Sequence, residues 1–276
     1  MNIFGSTTTS TGTAVNLMLK RIATAGSLLA LTILGASILL RLGTVFDPTG
    51  QAISTFPEIM EYGLRLLHRL SASGVALLAI CSVLICWSHR RSIAHLAKPT
   101  AWIVASTIAL ALIGPLTPGY RVEVITIANV VGGMLLLIAF WWLQASAATT
   151  PAIAGVVKPF AWVSLTSFLV LIATGAAASA HEMHGVHWPA VVHLCWLVFF
   201  IIPIGSLLRE VHCQRPITRR CGILVGLLAL QMTLGYLLMG YGLRPLSLSF
   251  VHAMLSPLIA MVLVSIVLNA STPIKR

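Results

Sequence analysis

Three histidines of this chain, His68, His193 and His252, each sit a few residues inside a long apolar run. Ionisable side chains at membrane depth are costly and usually serve a function. Neutral imidazole is also a common ligand for transition metals and for haem iron. Three histidines at matching depth in so apolar a chain therefore point to a metal or a haem. His193 and His252 open two runs of the same half of the chain. Two histidines on facing helices can supply both axial ligands of a haem, which then carries electrons because no position is open to substrate. The competing explanation is a pair bonded to backbone, or to each other, for packing.

The first half offers less. His68 has the matching depth, but the run where a partner would be expected carries Asn129, and no histidine occurs between His95 and His181. Iron there would receive at most one imidazole from the runs. That asymmetry is expected if one half holds a fixed haem and the other a haem that must react and leave. Near His68, Glu61, Arg65 and His68 follow i, i+4, i+7 spacing and fall on one helical face, which Leu64 shares. Arg65 and Arg69 suit haem propionates, because a guanidinium binds carboxylate bidentately. Glu61 and Arg65 could instead form an ordinary interfacial ion pair.

His181, His184 and His187 form H-x-x-H-x-x-H beside Glu182. Gly185 and Pro189 make this segment read as a solvated loop or a lid over the second site rather than a metal cluster. Cys81, Cys86 and Cys195 lie within apolar runs. Cys213 and Cys221 lie on the side that charge identifies as cytoplasmic, so no structural disulfide is expected.

These residues must be positioned by membrane-spanning helices. The chain has 276 residues, 58% hydrophobic and 8% charged, against about 25% charged in soluble domains. A span needs roughly 20 apolar residues. Eight such runs can be drawn: 22–44, 62–87, 101–117, 122–143, 159–180, 188–208, 221–243 and 247–269. The expected fold is all-α and integral to the membrane.

The net charge of +11 does not indicate a nucleic-acid partner, because the charge is segregated. Lys20, Arg21, Arg90, Arg91, Lys98, Lys158, Arg209, Arg215, Arg219, Arg220, Lys275 and Arg276 fall on one side of an eight-span arrangement. Asp47, Glu58, Glu61, Glu123 and Glu182 fall on the other, with Arg41, Arg65, Arg69, Arg121 and Arg244. The positive-inside rule then places both termini in the cytoplasm, or in the matrix for an organelle.

A small-residue linker at 144–158, containing Pro151, divides the chain. Residues 1–21 read as a polar tail, 22–143 as an N-terminal four-helix half and 159–269 as a C-terminal one. The halves are weakly alike. TILGAS around Gly35 in the first run matches IATGAA around Gly175 in the fifth, and His68 takes the place of His193. Gly132, Gly133 and the Gly175–Ala180 run suit close helix packing.

Two stretches carry a family resemblance. LLALQMTLGYLLMGYGLRPLSLSFVHAMLSPLIAMVLV, with Gln231, Gly235 and His252, resembles the Q-x-x-x-G span, short outer loop and histidine-led last span of the heme A synthases. EYGLRLLHRLSASGVALL resembles that family's E-x-x-H-R segment. The resemblance implies oxidation of a methyl of haem O to the formyl of haem A. It implies a haem b on His193 and His252, a substrate haem near His68 and a carboxylate near it, for which Glu61 is the candidate. It also implies haem O synthase and respiratory-oxidase assembly factors as partners, in a bacterial or archaeal plasma membrane or a mitochondrial inner membrane, and leaves homo-oligomerisation open. The chain departs from the pattern at Asn129, at Leu64 where E-x-x-H-R would place histidine, and in lacking an outer-loop cysteine pair. A non-catalytic haem-b subunit or haem chaperone is the alternative that Asn129 and Leu64 favour.

Overall fold

The computed structural model describes residues 7–46, 52–116, 123–147, 157–182, 188–212, 218–240 and 245–269. Their helices are α1 (Thr7–Leu42), α2 (Glu58–Ser88), α3 (Ala97–Ile113), α4 (Glu123–Ala147), α5 (Val157–Glu182), α6 (Trp188–His212), α7 (Thr218–Gly240) and α8 (Leu246–Asn269). Eight described helices are long and apolar enough to cross a membrane, as the composition demands of an all-α integral membrane protein. Pro203 and Pro257 lie inside α6 and α8 without ending them. Neighbouring helices and local backbone adjustment tolerate such prolines in membrane spans.

Three boundaries differ from expectation. Helix α1 starts at Thr7, inside the stretch expected to be a polar tail. Val15, Leu19 and Ala23 recur at four-residue spacing on one face, and Leu19 and Ala23 are buried in the core with Val15 packed against them. Helix α5 continues through His181 and Glu182, so the first of the loop histidines is helical; nothing between Ala176 and Glu182 breaks a helix. Helix α3 starts at Ala97, earlier than expected, and tightens into a 3-10 turn at Gly114–Leu116, where Pro115 stops the regular ladder.

A short hairpin adds to the expected elements. Strand β1 (Thr44–Phe46) pairs antiparallel with β2 (Ala52–Ser54), Val45 in register with Ile53. Its sequence signal is the Asp47-Pro48-Thr49-Gly50 turn composition between β-branched residues. The hairpin joins α1 to α2 and marks the end of the protein near which His68, His193 and His252 lie.

Helix α1 packs on α2, α4 and α8, and α3 packs on α4 and α2. Helix α5 packs on α6 and α8, α7 on α8 and α6, and α4 touches both α5 and α8. One buried cluster centres on Leu19, Val75, Ile103, Leu136 and Phe140. The other centres on Phe168, Phe200, Leu207, Leu224 and Leu263, with Leu34 of α1 and Leu137 of α4 joining it. The rings of Phe168 and Phe200 lie 5.4 Å apart in a tilted pair, a favourable aromatic geometry.

Lipid is as apolar as leucine, so helices in membranes associate through close packing. Gly26 of α1 shows how close: a Cβ there would overlap the fully buried ring of Phe140. Gly26→Ala is therefore expected to lower stability by about 1–3 kcal/mol through overpacking. A drop in the thermal unfolding midpoint of the detergent-purified protein would register this. Gly222→Ala, where a Cβ meets open space, is the matched control and should leave the midpoint unchanged or raise it.

Candidate functional site

Helix α5 positions His193. The Thr174 hydroxyl donates to the Leu171 carbonyl at 3.0 Å and lies 3.1 Å from His193 Nδ1. A hydroxyl has one hydrogen. A hydroxyl that gives its hydrogen to Leu171 can accept from Nδ1–H of His193, an arrangement that leaves Nε2 available as a ligand and is the kind of outer hydrogen bond that metal-binding histidines use. Gly175 lets the ring approach, since a Cβ there would lie 3.0 Å from His193 Cε1.

Helix α7 positions His252 in a related way. A Cβ on Gly235 would lie 3.2 Å from His252 Cε1. Gln231 directs its amide nitrogen to His252 Nε2 and to Ser256 Oγ, both at 3.3 Å. Gln231 Oε1 is buried and meets no donor among the described residues. Iron ligation at His252 Nε2 would require the Gln231 amide to turn aside. Each histidine of the C-terminal pair thus rests on a glycine of the preceding helix.

His68 repeats the first arrangement. Its Nδ1 lies 3.0 Å from the Ser37 hydroxyl of α1. In both cases a hydroxyl on one helix meets Nδ1 of the histidine on the next. Ser37 and Thr174 lie in the TILGAS and IATGAA runs, whose small residues suggest only packing when read from sequence. A hydroxyl within such a run, near a histidine on the following span, was the available signal. A Cβ on Gly35 would lie 3.7 Å from Met254 Sδ and 3.9 Å from the Phe250 ring. His68, held level with Ser37, therefore lies near the level of His252.

Glu61, Leu64 and His68 are half-buried and continue into the buried Ser71 and Val75. Arg65, one turn after Glu61 on the same helical side, is 52% exposed and bonds Glu61, Nε at 2.8 Å and Nη2 at 2.5 Å from Oε1, so the ordinary i,i+4 ion pair is present. Arg69 is exposed. Asn129 is half-buried on α4, while the partner the structure gives His68 is Ser37 of α1. A cation that sequence reasoning passed over is Arg41, 8% exposed in the last turn of α1 and one turn beyond Ser37. A guanidinium is costly to remove from water, so its burial at this end of the bundle marks a polar environment there.

His184 and His187 lie outside the described residues, as does Cys213. Among the described residues, no group of three His, Cys, Asp or Glu side chains converges as a metal cluster; a haem needs only two protein ligands. Cys81, Cys86, Cys195 and Cys221 are free thiols.

The arrangement makes Thr174 testable. If His193 Nε2 binds iron, Thr174→Val should cost about 10- to 100-fold in haem affinity, the usual effect of losing an outer hydrogen bond, while Thr174→Ser should restore it. Haem titration of the apoprotein measures both.

No protein-family model and no curated protein matches the sequence.

Proposed function

We propose that this protein is a haem-handling membrane oxidoreductase of the heme A synthase type, built as two related four-helix halves with both termini on the basic side of the membrane. The observation that carries this is the matched setting of the histidines: His68 and His193 place Nδ1 3.0 Å and 3.1 Å from a hydroxyl of the preceding helix, and His193 and His252 each lie against a glycine of the preceding helix.

In this proposal His193 and His252 hold haem b. Bound haem would supply the electron transfer and the oxidising chemistry that convert a methyl of haem O to the formyl of haem A. The chain's own residues supply position and charge. Thr174 orients the His193 imidazole, and Gln231, in contact with His252 Nε2, turns aside for that nitrogen to bind iron. Ser37 orients His68 toward the substrate haem. Glu61 is the carboxylate nearest that site in sequence and on the same helical face as His68, with Arg65 holding it in place. Among the described residues, Arg41, Arg65 and Arg69 are the cations at this end that suit propionates, and Arg41 is the one already removed from solvent. Asn129 faces the role that a fourth histidine would fill, leaving the first half with one imidazole and an open side.

Haem O synthase and oxidase assembly factors are the partners this implies, in a plasma membrane or mitochondrial inner membrane. The test is expression with a haem O supply, followed by extraction of cellular haems. Accumulation of haem A or a hydroxylated haem supports the proposal. Folded, haem-loaded protein that yields neither overturns the enzymatic part. A non-catalytic haem-b subunit or chaperone is the second proposal, favoured by Leu64, which occupies the half-buried position one turn from His68.

A further inference from the structure

Far from the histidines, the two buried clusters meet along a cleft of about 220 Å³. Helix α4 and helix α8 form its floor through residues such as Leu135, Trp142 and Val267. Trp102 of α3 and Trp162 and Leu165 of α5 form its walls. All its lining residues are aliphatic or aromatic. Trp102 is 54% exposed and Trp162 44% exposed, so the cleft opens sideways, toward where lipid would lie. A quinone ring or a haem propionate would find no polar partner in it. A hydrocarbon chain needs none.

The position of the cleft adds a charge argument. Trp102 and Trp162 each stand near the first turns of their helices, at the end opposite the β-hairpin. One helical turn before each, the chain carries a lysine: Lys98 before Trp102 and Lys158 before Trp162. Four residues of helix separate lysine from tryptophan by about 6 Å along the axis. Lys98 is exposed. Two walls of one apolar cleft thus lead outward to two cationic positions at the membrane edge. Tryptophan favours that interfacial depth, and basic positions between spanning helices recruit anionic headgroups.

We propose that the α3–α5 cleft binds one molecule of an anionic phospholipid, an acyl chain lying among the tryptophans and the phosphate at the basic helix starts whose sequences carry Lys98 and Lys158. The lipid would fill the crevice between the two clusters where α3 and α5 leave α4 and α8 uncovered. This site is independent of any haem.

Native mass spectrometry of the full chain, released from mixed phosphatidylglycerol and phosphatidylcholine micelles, tests it. The wild type is expected to retain one phosphatidylglycerol in preference to phosphatidylcholine. Two lysines near a surface are worth about 30-fold in binding an anionic lipid, so Lys98→Gln with Lys158→Gln should weaken phosphatidylglycerol retention by about that factor and leave phosphatidylcholine unaffected. Leu165→Trp, which narrows the cleft, should reduce retention of both lipids. Equal retention of the two lipids by the wild type would overturn the proposal, as would unchanged phosphatidylglycerol retention in the lysine double variant or a neutral isoprenoid as the tightly held species. The lysines stand at helix ends, so circular dichroism of the double variant should match the wild type and keep the test valid if Leu165→Trp fails to fold.

Discussion

Purified His193→Ala protein is expected to carry no bis-histidine haem b, with its helical content intact. In the proposed site iron would bind His193 Nε2, because Nδ1 meets Thr174 at 3.1 Å. Alanine removes the ligand and leaves Gly175 facing the vacated space. Protein packing does not supply a substitute, because the described cysteines and acidic residues do not cluster there. The loss should therefore be nearly complete and visible as the disappearance of the low-spin absorption bands. Added free imidazole should partly restore them, since the space it must occupy is the one the side chain left. His252→Ala should behave alike. Retention of a bis-histidine spectrum in both variants would remove the common basis of the enzymatic and the haem-carrier proposals.

The second large effect is expected at Glu61. If it acts on protons at the substrate haem, Glu61→Gln should reduce haem A formation by about 100-fold or more, the scale of general acid–base catalysis. The haem b spectrum should stay as it is, because Glu61 lies on α2, away from α6 and α8. Arg65→Gln removes the cation that holds the carboxylate and should have a smaller effect in the same direction. A haem-carrier protein predicts a different result: Glu61→Gln would leave the cellular haem composition unchanged. The two variants together thus separate the loss of a cofactor from the loss of chemistry.

How far the site is legible without the structure depends on the kind of interaction. His68, His193 and His252 stand out because charge-capable groups are rare at membrane depth, which is a one-dimensional property. Ser37 and Thr174 do not stand out, although each meets a histidine at about 3 Å. Hydroxyls in membrane helices are common and most simply bond the preceding turn, as Ser82 and Thr107 do here. Only the approach of a second helix gives them a further partner. Arg65 shows the converse. Spacing foretells its i,i+4 pair with Glu61, but that it lies exposed while Glu61 and His68 are half-buried depends on which side of α2 the neighbouring helices cover. The helical extension of α1 to Thr7 is hidden because residues 7–14 carry threonines and serine, which show no apolar periodicity.

By itself the sequence determined that this is an all-α membrane protein with eight apolar helices. A bilayer core admits only segments whose backbone groups bond internally, and hydropathy along the chain reports which segments those are. It also marked three histidines lying within those apolar runs. The tertiary structure alone decided which hydroxyl meets His193 Nδ1, which helix holds each imidazole, and that among the described arginines near this end Arg41 is buried while Arg65 and Arg69 are not. Those are properties of pairs of helices. Their geometry is set by which side chains can pass within van der Waals reach, as at Gly26, Gly175 and Gly235, and no local pattern along the chain encodes the neighbour that will come that close.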